Sequence, residues 1–194
     1  MKTVESGLFK PIECKFTDIS FLKEIDRTPD GVFYESKVKG GLHCGLLFAR
    51  QNGSTRMVLP CHFDSSGFSA IRLTGRNREE FKGKIIIWRA KKGKESLWFR
   101  ETEEGFCELP FEGTNVLPLS ETVFLVDLKK IKFLDDKGEL KGFDLPTDRL
   151  PNHCSIALIP DSKNILFVYK EENDFICSVI INYITGEEIC RVKM

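Results

Sequence analysis

Three histidines and seven cysteines carry most of the reactive chemistry open to this chain of 194 residues. Each histidine has a cysteine as its sequence neighbour: His43-Cys44, Cys61-His62 and His153-Cys154. The first two pairs flank Asn52-Gly53, the dipeptide best suited to a two-residue type I′ turn because both central positions need positive φ. In that register Cys44 meets Cys61 on one face of a hairpin and His43 meets His62 on the other. The cysteine face runs through Leu46, Phe48, Met57 and Leu59 and is expected to lie on the core, where a reduced cysteine packs as a small hydrophobe. The histidine face is mixed and is expected to border solvent. Together with His153, the two imidazoles offer three nitrogen ligands to zinc and leave a fourth position for water, the arrangement that lowers the bound water's pKa toward about 7. His43, His62 and His153 are therefore the candidate metal ligands and catalytic residues of a hydrolase, and zinc is the one cofactor suggested. The competing reading is a polar cross-strand pair that needs no ligand. A bulge or a three-residue loop at Asn52-Gly53 would shift the register, and Pro60 withholds one amide from the ladder.

A second constellation lies between Arg72 and Arg100. This window holds ten basic residues against Glu79, Glu80 and Glu95, and it contains both tryptophans of the chain, Trp88 and Trp98. Basic side chains neutralise phosphates and aromatic faces stack bases, so the composition is that of a nucleic-acid or nucleotide surface. Arg76, Arg78, Lys82, Lys84, Trp88, Arg89, Lys91, Lys92, Lys94 and Trp98 are the candidate contact residues. Lys91-Lys92-Gly93-Lys94 is expected at the tip of a hairpin between two strands, 84–90 and 95–101. Two structural readings compete with this one. The acid-rich stretch 101–148 would cancel the charge if it folded over the hairpin, and tryptophan is more often core than platform.

Other motifs are missing. The chain contains no CxxC, HExxH or HxH spacing, no Gly-rich phosphate loop, no dinucleotide fingerprint and no GxSxG elbow. Asp64-Ser65-Ser66-Gly67 has the composition of an ordinary turn. His62 with Cys107 or Cys154 forms a nucleophilic pair only on paper, since many such pairings can be drawn from ten residues.

Formal net charge is zero and the sequence pI is about 6.8, which excludes a uniformly basic nucleic-acid binder and an acidic disordered tail. The first residues, MKTVESGLFKPIECKF, lack the character of a signal or transit peptide. No apolar run reaches the roughly 18 residues of a membrane span. An odd number of widely spaced cysteines without a secretion signal points to a reducing compartment, and the expected location is the cytoplasm.

The elements that must position these residues are mostly strands. Runs at 32–39, 43–51, 54–61, 68–74, 84–90 and 95–101 are separated by glycine, asparagine or serine, the punctuation of an antiparallel sheet. One helix is expected over 19–26, capped by Asp18, with Ile19, Leu22 and Ile25 on one side and Thr28-Pro29-Asp30-Gly31 ending it. The stretch 120–134 fits both periodicities and is assigned to strand, followed by a turn at Asp135-Asp136-Lys137-Gly138. The last forty residues form a meander of strands joined by short polar turns. This segment resembles one blade of a β-propeller, but no second copy is evident upstream, and several blades would be needed.

The fold class expected is mainly β: an antiparallel barrel or sandwich with one or two short helices and a C-terminal β-meander. It forms a single domain over 1–194, with a helix-containing segment at about 1–30 and the meander at about 154–194. The expected function is a binding module for an anionic partner, most plausibly nucleic acid or a nucleotide. The alternatives are the His-based zinc or Cys/His hydrolase and a protein-binding or inhibitory domain.

Overall fold

The computed structural model describes residues 7–13, 15, 19–38, 44–61, 67–73, 84–92, 94–145, 155–170 and 175–194. The chain divides into two compact units, one formed by 1–72 with 81–111 and the other by 73–80 with 112–194. Every strand pairing is antiparallel. Among the described residues no helix is long and apolar enough to cross a membrane.

The first unit contains β1 (Leu8–Phe9), β2 (Ile12–Glu13), β3 (Ile19–Thr28), β4 (Gly31–Val38), β5 (Cys44–Arg50), β6 (Thr55–Cys61), β7 (Phe68–Ile71), β8 (Ile87–Lys92), β9 (Glu95–Thr102) and β10 (Gly105–Leu109). They build two five-stranded sheets, ordered β2-β6-β5-β4-β3 and β1-β10-β9-β8-β7. Phe33, Leu46, Val58 and Leu59 from the first sheet share a core with Phe68, Trp88, Ala90, Phe99 and Phe106 from the second. Each large side chain buried in this way contributes about 1.5–3 kcal/mol. Phe33 stands at the centre, its ring centroid 4.5 Å from Phe48 and 4.7 Å from Trp88.

The second unit contains β11 (Val116–Pro118), β12 (Val123–Val126), β13 (Lys130–Leu134), β14 (Leu140–Asp144), β15 (Ser155–Leu158), β16 (Asn164–Lys170), β17 (Ile176–Asn182) and β18 (Glu188–Lys193). Two four-stranded sheets follow chain order, β11 to β14 and β15 to β18. Val123, Leu125, Ile131 and Phe133 pack with Ile165, Phe167, Cys177, Val179 and Ile181 in one core. A polar group adjoins this core: Arg191 Nη1 donates to Tyr169 Oη at 2.8 Å, and its other nitrogens grip Glu188 at 2.9 and 2.6 Å. The hydrogen bonds it donates to Glu188 are the main reason the Arg191 pKa is raised.

Several expectations need correction. Among the described residues no sheet closes into a barrel, since each retains two edge strands. The one or two short helices expected are absent among the described residues, and the segment expected as a helix over 19–26 is strand β3. Its pairing with β4 slips between Ile19 and Phe21 and again between Glu24 and Asp26. Such bulges insert an extra residue and break the period-two pattern of a strand, and the three residues read as a helix face do not share one: Ile25 packs on the core while Leu22 is exposed. The C-terminal meander is also not a lone one. β3–β6, β7–β10 and β11–β14 repeat its sequential strand order, a topology that requires alternation and turns but no shared residues.

Over 120–134 the chain makes two strands rather than one. Between them Asp127 and Leu128 both have positive φ, 48° and 56°, in a tight turn closed by Lys129 N donating to Val126 O at 3.0 Å. The expected turn at 135–138 is present. Asp135 Oδ1 accepts from the amides of Lys137 and Glu139, both at 2.9 Å.

Candidate anion-binding face

The β8–β9 hairpin sorts its charges by face. Opposed positions across antiparallel strands share a face, and the pairs Trp88/Phe99, Arg89/Trp98, Ala90/Leu97, Lys91/Ser96 and Lys92/Glu95 fix the arrangement. Trp88, Ala90, Leu97 and Phe99 lie on the core side. The other face carries Arg89, Lys91 and Arg100 around Ser96 and Trp98. Glu95, Glu101 and Glu108 all fall on the core-side face, so the described strands of this sheet add no carboxylate to the face that carries Arg89 and Arg100.

Arg89 is the best-ordered cation of the group. Its guanidinium carbon lies 5.4 Å from the centroid of the Trp98 ring, and its Nε donates to Ser96 Oγ at 2.9 Å. These two contacts seat the charge over the ring while using one of its five N–H donors. Among the described residues its terminal nitrogens meet no acceptor. Trp98 is itself held edge-on against Phe111, with centroids 6.2 Å apart.

The remaining sequence-derived residues are distributed as follows. Lys91 and Lys94 are exposed, as is Lys84 just before β8. Lys92 stands opposite Glu95 on the core-side face. Trp88 and Trp98 are only 1% and 2% exposed, so neither offers an open ring to a base. The Trp88 indole nitrogen is buried without a hydrogen-bond acceptor among the described residues. Arg72 is tied to Asp26 by an ion pair of 2.5 Å. Arg76, Arg78 and Lys82 lie outside the described residues.

Two members of this face, Arg100 and Ser96, were not among the candidate contact residues. Strict alternation was the signal that could have found them, because Ser96, Trp98 and Arg100 are two apart along β9. On β9, Glu101 has its pKa raised by burial, with Asp30 adding to the effect and Lys84 acting in the opposite sense.

The histidine constellation cannot be placed in the same way. His43, His62 and His153 lie outside the described residues, as does Cys154, and no group of three or more His, Cys, Asp or Glu suited to a metal ion occurs among the described ones. What the structure does define is the hairpin between the two pairs. Arg50 N donates to Ser54 O at 2.9 Å and Gly53 N to Arg50 O at 3.0 Å, with Gly53 at φ 84°. The connection is therefore a three-residue loop with glycine in the left-handed position, not the two-residue turn expected. Phe48 consequently pairs with Arg56 and Leu47 with Met57. A bulge on β6 between Met57 and Leu59 then takes up the offset, and Leu46/Leu59 and Cys44/Cys61 are opposed as the sequence reading required.

No protein-family model, curated protein or solved structure matches this chain.

Proposed function

We propose that this protein binds a phosphate-bearing polyanion, with nucleic acid as the leading class, through the face formed by Arg89, Lys91 and Arg100. The single observation that supports it is the ordered Arg89 fork. A guanidinium stacked on an aromatic ring and oriented by a hydroxyl has already lost much of the side-chain freedom that binding would otherwise cost, and its terminal N–H groups match the oxygens of one phosphate. The segregation of Glu95, Glu101 and Glu108 to the other face supports the same reading, because these strands add no carboxylate on the side of Arg89 and Arg100.

With both indoles buried, recognition rests on phosphate charge rather than on base stacking. Affinity is then indifferent to base identity and strongly dependent on salt. The test is fluorescence anisotropy with labelled oligothymidylate and oligoadenylate at low and physiological ionic strength. Similar affinities for the two, both falling steeply with salt, support the reading. A marked preference for one base that persists at high salt overturns it.

A further inference from the structure

One row of positions crosses three strands of the first unit at the open end of the β5–β6 hairpin. Lys37 on β4 pairs with Cys44 on β5, and Cys44 pairs with Cys61 on β6. Cys44 begins its strand and Cys61 ends its own. The row marks where the core gives way to solvent: Leu46, two positions along β5, is fully buried, while Lys37 is exposed.

Residues directly opposed in an antiparallel pair have Cα atoms about 4.5 or 5.5 Å apart, depending on the hydrogen-bonding class of the pair. Both values fall inside the span of about 4.4–6.8 Å that a disulfide bridges without backbone movement. A lysine ammonium beside a thiol favours the thiolate, the form that attacks disulfides. The register thus sets one lysine position and two cysteine positions in a single row across three strands.

We infer that Cys44 and Cys61 form a redox-active dithiol that closes reversibly by exchange with a disulfide donor such as glutathione disulfide. The Cys44 thiolate attacks one sulfur of the donor, forming a mixed disulfide and releasing the first donor thiolate. The Cys61 thiolate then attacks the Cys44 sulfur, forming the intramolecular bond and releasing the second. Two electrons pass from the protein to the donor, which is reduced to two thiols that take up the two protons the cysteines lose. The product is a covalent lock across the open end of the hairpin.

The experiment uses the full chain, incubated with glutathione disulfide, quenched with N-ethylmaleimide, digested and mapped by mass spectrometry. The expected product joins the Cys44 and Cys61 peptides with the loss of two hydrogens and no retained glutathione, and dithiothreitol restores both as alkylatable thiols. Full alkylation of both after oxidation overturns the inference, as does a stable glutathione adduct on either that never closes, or preferential bonding of either to another cysteine. A second measurement tests the lysine. Lys37→Met is expected to slow alkylation of Cys44 several-fold at neutral pH and to match the unmodified chain at alkaline pH; an unchanged pH profile removes Lys37 from the mechanism.

Discussion

Arg89 sits over the indole of Trp98, 5.4 Å from its centroid, from the position directly across the β8–β9 ladder. The pairing joins two roles. Trp98 is part of the packed interior, 2% exposed, and its ring gives a charged side chain a fixed seat. Replacing Arg89 by lysine keeps the charge but loses the planar fork and most of the stacking. Arg89→Lys is expected to weaken binding of a labelled oligonucleotide several-fold with an almost unchanged salt slope, because the number of phosphates neutralised stays the same. Arg89→Met is expected to lower both. Anisotropy titrations across a salt series distinguish the two outcomes, and identical slopes for both variants would remove Arg89 from the contact.

The turn at Asp127-Leu128 stores strain that can be released. Leu128 holds φ 56° and its side chain is 51% exposed, so little packing offsets a left-handed conformation that costs a non-glycine residue about 1–2 kcal/mol. Leu128→Gly is expected to stabilise the second unit by about 0.5–1 kcal/mol, after part of the gain is returned through the more flexible unfolded chain. Urea denaturation reads this as a higher midpoint. A lower midpoint would show that the leucine side chain contributes more than the strain costs.

The neighbouring Asp127 has a separate structural role. Its Oδ1 accepts from the amides of Thr114 and Asn115 at 3.0 and 2.8 Å, which holds the chain entering β11. A Cβ placed on Gly113 would come within 2.6 Å of Asp127 Oδ2 and of Val126 Cγ1. Gly113→Ala is therefore expected to displace the carboxylate and destabilise the chain by about 1–3 kcal/mol through strain and lost hydrogen bonds. Thermal unfolding of Gly113→Ala and Asp127→Ala, singly and together, should show effects that do not add.

Glu101 supplies a pH signature. Burial holds its carboxyl pKa above the ordinary value, with Asp30 adding to the effect and Lys84 opposing it. A carboxyl raised on folding binds its proton more tightly in the native state. Its contribution is therefore most favourable below the ordinary carboxylate pKa and is lost as pH rises through the raised one. Glu101→Gln is expected to raise the urea midpoint at neutral pH, with the gain shrinking as pH falls into the carboxylate range. A gain that is constant with pH would mean that its charge is not the cause.

Much of this architecture was legible in the sequence. The turn chemistry at 135–138 and the alternation in 43–51, 54–61 and 95–101 correspond to observed strands and turns. What was not legible depended on register irregularities. The bulges of β3 broke the alternation by which a strand is recognised. At the β5–β6 hairpin a longer loop and a compensating bulge cancelled, so Cys44 faces Cys61 by a route that Asn52-Gly53 alone does not encode. For Trp98, alternation indicates the face it shares with Arg100, but not its ring contact with Phe111, a residue beyond the end of β10. A basic, aromatic window can thus identify the cations of a face without revealing that its rings are covered.

The most direct test of the proposed anion-binding face is the salt dependence of oligothymidylate binding for the unmodified chain against Arg89→Gln/Lys91→Gln/Arg100→Gln. Three phosphate contacts correspond to about two units in the slope of log K against log salt for a single strand. The account predicts a shallower slope by about that amount in the triple variant, together with a large loss of affinity at low salt. Equal slopes and equal affinities would contradict it.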